Sequence, residues 1–328
     1  MNTQSNKNNK RKKLLWIIRI FSLIVAFFIG FKMFSAVQLN SLKLHHFWFL
    51  PLALLISFFE YSLGPLALVI LLRSMGQIAK YYDMFLVFTF SSFASYAIPV
   101  PTSAFATRSV VLKHAHNISY TISASLFTME MVIGNILSAM IALICGVIWV
   151  LPIFKEQFIM LKKILIIIII FFAVIVIFSF ILGLFKKSNL KIIKILNDIK
   201  NILINSKKIW FLPYITVLLL AHFATLLRFI CLLNVLGVSC LPGALLTVIV
   251  TSYIAGLVSL IPLGIGVRDV SLASFLILLK IPPTAAMTAT VFERIFFSLP
   301  YLIGGVISTH YFGNKFLISQ SKINESID

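Results

Sequence analysis

The chain has 328 residues, of which 60% are hydrophobic and 11% charged, with a formal net charge of +19 and a mean hydropathy of +1.06. A soluble domain is about half apolar and about a quarter charged, so a water-soluble globule this apolar would lack the polar residues to cover its own surface. Several runs reach the ~20 apolar residues that cross a bilayer core, and the fold class this implies is an all-α polytopic membrane protein.

The positive charge does not indicate a nucleic-acid partner. Lysines gather at 7–13, at 186–208 and near the C-terminus, where they flank apolar runs, as the positive-inside rule and attraction to anionic headgroups require. No nucleic-acid module accompanies them. Cys145, Cys231 and Cys240 are scattered, without metal or redox spacing, and read as small apolar packing residues. Neither a cofactor motif nor a metal-ligand cluster is apparent.

In chain order, residues 1–13 form a basic segment, expected on the cytoplasmic side. The run that follows, 14–37, reads as an uncleaved first span, because it carries Arg19 and no small-residue cleavage site precedes Lys32. Further spans are expected at 47–72, 118–150, 163–185, 210–236 and 284–312. Two other apolar stretches, 84–116 and 243–282, are interrupted by Pro, Gly, Ser and Thr. Each half is short for a crossing, so both read as re-entrant helical hairpins; broken backbone at membrane depth survives only where protein or water buries it. The transmembrane domain is expected over 14–313, followed by a tail, 314–328, also cytoplasmic.

Three landmarks recur. Trp48-Phe49-Leu50-Pro51 returns as Trp210-Phe211-Leu212-Pro213, an offset of 210 − 48 = 162. Ile98-Pro99 returns as Ile261-Pro262, and Glu130 as Glu293, both at 163. The order predicts two related halves, about 47–150 and 210–313. Lys43, His45 and His46 precede the first half, on the face expected to lie outside. Lys207 and Lys208 precede the second, on the face shared with Arg73 and Lys80. The halves therefore enter from opposite faces, an inverted repeat of the kind many transporters use, with sites where the repeats meet. The connector 186–208 carries seven lysines and an apolar face, Ile192, Ile195, Leu196, Ile199, Ile202 and Leu203, at helical spacing. It reads equally as a surface helix on anionic lipid and as a solvated tether.

Of nine acidic residues, Glu60, Glu130, Asp269 and Glu293 sit in apolar surroundings, as do Arg108, Arg228, Arg268 and Arg294. A charge at the bilayer centre costs about 2.5–3.5 kcal/mol even on a lenient scale, so these groups are expected to face inward and pair. For Glu60 pairing outweighs a transport role; for Glu130 and Glu293 the repeat position favours function. Glu293 and Arg294 are neighbours about 100° apart on a helix, and are expected to serve different partners.

The strongest local signal is Ile261-Pro262-Leu263-Gly264-Ile265-Gly266-Val267-Arg268-Asp269. Pro262 stops one helix, while Gly264 and Gly266 permit a tight turn with close backbone approach. Arg268 and Asp269 open the next helix, whose N-terminus suits an anionic headgroup, and the Arg268 fork matches phosphate. Asp269 reads equally as a helix cap. The first half has Pro99, Pro101 and then Arg108, without the glycines.

With these residues in hand, the stretch from Ser252 to Gly305 resembles the transmembrane region of lysylphosphatidylglycerol synthases and their stand-alone flippase-like relatives. Pro262, Gly264, Gly266, Arg268 and Asp269 carry the likeness, with Val291-Phe292-Glu293-Arg294 and Gly304-Gly305 further along. Pro99, Arg108 and Glu130 extend it to the first half, so it covers about 14–313. The resemblance implies movement of aminoacylated or glycosylated anionic lipids between leaflets. It also implies headgroup contacts for Arg108, Arg268, Asp269, Glu130, Glu293 and Arg294. About fifteen residues follow the last span, so lysyl transfer by this chain is not expected. Two departures bear on headgroup preference: Asp269 stands where the family commonly has Glu, and Ala104-Phe105-Ala106-Thr107 where a Gly-Glu pair usually precedes the arginine. Two other readings stay open. One is an intramembrane transferase using His114 and His116 as bases. The other is a scaffold for a separately encoded lipid- or glycan-modifying enzyme.

Overall fold

In the computed structural model, the backbone is described for residues 45–96, 100–152, 191–259, 261 and 264–325, with side chains left out at 100–104, 191–196 and 313–325. The expected spans at 14–37 and 163–185, and the breaks at Pro99 and Pro262, lie outside the described residues. Nine helices are described: α1 Phe49–Ser74, α2 Tyr81–Ala94, α3 Val100–His116, α4 Tyr120–Cys145, α5 Lys191–Asn205, α6 Phe211–Val235, α7 Pro242–Val258, α8 Val267–Leu278 and α9 Pro283–Glu325. No strand occurs among the described residues. Four stretches are long and apolar enough to cross a membrane: Phe49–Ser74, Tyr120–Val150, Lys208–Val235 and Pro283–Phe312. Leu55, Phe59, Phe223, Val306 and other large apolar side chains on these stretches are exposed on the protein surface. That is stable only with lipid as the solvent. The protein is a multi-pass, all-α membrane protein.

The order long, short, short, long occurs twice, as α1–α4 and as α6–α9. Equivalent helices start 162, 161, 167 and 163 residues apart (211 − 49, 242 − 81, 267 − 100, 283 − 120). The one outlying offset reflects a longer break in the second hairpin. α2–α3 and α7–α8 are the two interrupted hairpins that the sequence predicts.

The two halves run in opposite senses. The His45 N–H just before α1 donates to the Val235 carbonyl at the end of α6 (3.0 Å), and the Lys207 N–H just before α6 donates to the Ser74 carbonyl at the end of α1 (2.9 Å). α1 and α6 are therefore antiparallel partners, as an inverted repeat demands. The remaining contacts are reciprocal: α2 of the first half packs on α9, and α4 packs on α7 of the second. Such an exchange, in which i meets j and j meets i, is the signature of a two-fold relation. Arg73, Lys80, Lys207 and Lys208 fall together at one end of this pair.

Local chemistry sets the element boundaries. Ser119 caps α4, its Oγ accepting from the Ile122 N–H at 3.3 Å, and α4 continues beyond Cys145 as a π-helical turn, Gly146–Val150. α5 packs against α4; Ile199, Ile202 and Leu203 are half-buried while Lys200 is exposed, the two-faced connector expected. α9 runs on to Glu325, past the point where the sequence predicts a tail, because nothing after Gly313 interrupts the helix. Glycines let α9 lie close to both α1 and α2: a Cβ at Gly304 would stand 2.2 Å from the Tyr61 hydroxyl of α1, and one at Gly305 2.4 Å from the Phe93 ring of α2.

Candidate functional site

The two hairpins share a partly open cavity of ≈360 Å³. Ser91, Ser92, Ser95 and Arg108 enter its wall from the first hairpin, and Tyr253, Gly256, Gly264 and Arg268 from the second. Helices α1, α4, α6 and α9 complete it with Glu60, Glu130, Arg228, Phe297 and Tyr301. The cavity thus lies where the repeats meet.

The second hairpin can turn here because of its glycines. Gly264 and Gly266 adopt φ of +61° and +87°, which only glycine does at no steric cost. A Cβ at Gly264 would lie 2.7 Å from the Gly256 Cα, so the two backbones touch. Asp269 reaches back to accept the Gly266 N–H at 3.1 Å, the carboxylate half of a capping box. The same carboxylate receives Arg294 through both oxygens, at 2.6 and 2.8 Å. Asp269 is a cap and an ion-pair partner at once.

All eight charged residues that the sequence places in apolar surroundings are ion-paired. Arg108 pairs with Glu130, and Arg268 pairs with Glu293 at 2.5 Å. Glu130 and Glu293 are repeat equivalents, so each half joins the second helix of its hairpin to the same position of its last helix. The two arginines differ in depth: Arg108 stands in the third turn of α3, Arg268 in the first turn of α8. The second pair extends into a chain. Glu293 also accepts from Arg228 at 3.2 Å, and Arg228 in turn pairs with Glu60. The Thr225 hydroxyl donates to Glu60 at 2.9 Å. Phe297 lies beneath two of these guanidiniums, 4.8 Å from Arg268 and 5.8 Å from Arg228, an arrangement favoured by the ring quadrupole.

Burial separates the two pairs. Arg228 is 1% exposed and Glu293 2%, whereas the Glu130 side chain retains 28%. The Arg108 Nε and the Tyr214 hydroxyl are buried without a hydrogen-bond partner, and both residues line the cavity. Spare donors beside a partly exposed carboxylate leave the first-half subsite able to take another acceptor; in the more deeply buried second-half network the Arg228 Nε is likewise without a partner. Of the candidate residues read from the sequence, Arg108, Glu130 and Arg268 line the cavity. Glu293 stands behind them, and the Asp269–Arg294 pair is not part of the wall. Glu293 and Arg294 do serve different partners. Among the described residues, no three His, Cys, Asp or Glu gather as a metal site requires.

The family model for the lysylphosphatidylglycerol synthase TM region matches residues 15–305, nearly the whole chain. The chain belongs to this family. A comparison with curated proteins finds no match. Membership gives the chain a membrane-lipid setting that agrees with a charged cavity enclosed by apolar helices. In this member of the lysylphosphatidylglycerol synthase TM family, Gly264 and Gly266 build the turn, Asp269 caps the helix that follows, and Arg268 joins the central ion-pair network.

The sequence places Arg228 among the embedded charges without giving it a place in the site, and marks Glu60 as a pairing residue. The structure makes Arg228 the bridge between Glu60 and Glu293, so both belong to the cavity wall. His114 and His116, the candidate bases, are absent from that wall; the histidine that lines it is His222. Its repeat position offered a signal, since 222 − 60 = 162 places it opposite Glu60.

Proposed function

We propose that the protein moves a lipid with an anionic headgroup, aminoacylated or glycan-bearing, between the leaflets of a bacterial-type inner membrane. Both termini would face the cytoplasm, the side on which Arg73, Lys80, Lys207 and Lys208 collect. The observation that carries this reading is the cavity at the meeting of two inverted, interrupted hairpins, with an arginine from each in its wall. In such folds access alternates as hairpin and scaffold move around a fixed central site. Arg108 and Arg268 present planar forks matched to a phosphate, while Glu130 and Glu293 neutralise them when the site is empty and receive an ammonium group when the headgroup carries one. Acyl chains would remain outside in the lipid that the exposed apolar helix faces already contact.

Leaflet exchange of labelled lipids in proteoliposomes tests this. The panel is phosphatidylglycerol, its lysyl derivative and a polyprenyl-phosphate sugar. Exchange of at least one is expected, falling at least tenfold in Arg108→Ala/Arg268→Ala. Undiminished exchange in that variant would end the arginine mechanism. Absence of exchange for every lipid, with monodisperse protein, would overturn translocation.

A further inference from the structure

The site balances its own charge. Arg108, Arg228 and Arg268 in the cavity wall are matched by Glu60 and Glu130 in the wall and Glu293 directly behind it, three against three, and every one of the six is committed to an ion pair. A phosphodiester headgroup brings one further negative charge into this space. Burying it uncompensated is costly, since an ion taken from water keeps its desolvation penalty unless a counter-charge accompanies it. Opening an ion pair to receive it only transfers the deficit to the released glutamate.

His222 is the one histidine in the wall. Its Nδ1 lies 2.8 Å from the Leu218 carbonyl, which can only accept, so Nδ1 carries a proton in every state. Its Nε2 lies 3.1 Å from the Ser138 hydroxyl. That hydroxyl donates to a neutral Nε2 and, by rotating, accepts from a protonated one, so both charge states of the ring stay hydrogen-bonded. Histidine changes charge near neutral pH with small changes of surroundings. The charged and titratable groups sharing its cavity are Glu60 on α1, Glu130 on α4, Arg108 and Arg268 on the hairpins, Arg228 and Tyr214 on its own helix, Tyr253 on α7 and Tyr301 on α9, with Glu293 of α9 behind them. The inverted repeat sharpens the contrast. At the position equivalent to His222, Glu60 is held by Arg228; the position equivalent to Arg228 is Leu66, so His222 has no arginine to match.

We propose that His222 is a proton-binding site coupled to the headgroup: a proton taken up on its Nε2 supplies the positive charge that one anionic phosphodiester needs in the neutral cavity. Lipid and proton then occupy the site together, and low pH favours occupancy. This rests on the translocation reading and adds its co-ligand.

Two measurements test it. In weakly buffered detergent solution at pH 7, mixing short-chain phosphatidylglycerol with the intact protein should take up close to one proton per lipid bound, read by an indicator dye. Phosphatidylcholine, with no net charge, should take up none. In proteoliposomes, phosphatidylglycerol exchange should fall about tenfold between pH 5.5 and 8.5, and His222→Gln should flatten the profile near its high-pH level. Binding without proton uptake, or a pH profile that survives in His222→Gln, would overturn the coupling and leave translocation standing. If phosphatidylglycerol neither binds nor exchanges, the coupling falls for this lipid, and the wider lipid panel decides the translocation reading.

Discussion

Glu293 holds two arginines, so a change there reaches two buried guanidiniums at once. Removing one partner of a buried ion pair typically costs 3–5 kcal/mol, because an uncompensated charge is left behind. Glu293→Gln leaves Arg268 with no carboxylate and Arg228 with Glu60 alone, so a loss at the upper end of that range is expected. Glu60→Gln should cost less, since Arg228 keeps Glu293 and the Thr225 hydroxyl can still donate to the amide oxygen. Thermal melting of the two purified variants in one detergent checks the order; Glu60→Gln melting below Glu293→Gln would contradict the network as drawn. The charged residues themselves were legible in the sequence, because a charge inside an apolar run stands out at any spacing. Their pairing was legible only in part. Glu130 and Glu293 announce a relation through a common offset, but the Arg228–Glu60 pair joins residues 168 positions apart. It exists only because α1 and α6 lie antiparallel, and no local pattern encodes that.

At the scale of elements, the two hairpins are built by different means. The second depends on left-handed backbone at Gly264 and on contact between Gly264 and Gly256, so Gly264→Ala meets both strain and a backbone at 2.7 Å. A non-glycine residue held in the left-handed region costs about 1–3 kcal/mol, and the clash adds to it. The variant should melt lower and lose exchange, because the turn that aims Arg268 at Glu293 is displaced. Gly134→Ala provides the comparison: no atom lies within 4 Å of a Cβ there, and alanine favours helix, so its melting point should hold or rise slightly. Because Gly134 lines the cavity, the comparison is of melting alone, and equal drops in melting point in the two would show that the turn is not held by its glycine. Element order was readable from the sequence because spans announce themselves by length and breaks by Pro and Gly. The run of α9 to Glu325 was not, since a helix leaving the apolar zone keeps no hydropathy signal.

For the whole molecule, the antiparallel pairing of α1 and α6 makes a claim about sides that labelling can decide. The loop after α1 contains Ile78, which is 96% exposed, and lies at the end where Lys207 begins the second half. The loop after α6 contains Ser239, also exposed, and lies at the other end, beside His45. In a background with Cys145, Cys231 and Cys240 replaced by Ala, Ser239→Cys should react with a membrane-impermeant maleimide added to intact cells. Ile78→Cys should react only after the membrane is opened. The proposed orientation rests on the basic residues: the positive-inside rule would put Arg73, Lys80, Lys207 and Lys208, and with them the end of α5 that leads into Lys207, on the cytoplasmic face. Reaction at both sites in intact cells would mean that the loops share a face, and the inverted relation of the halves would be lost. Reaction at Ile78 alone would keep the inversion and reverse the molecule in the membrane. Only opposite-face labelling places one hairpin mouth in each leaflet, the geometry in which a central cavity can receive a headgroup from either side.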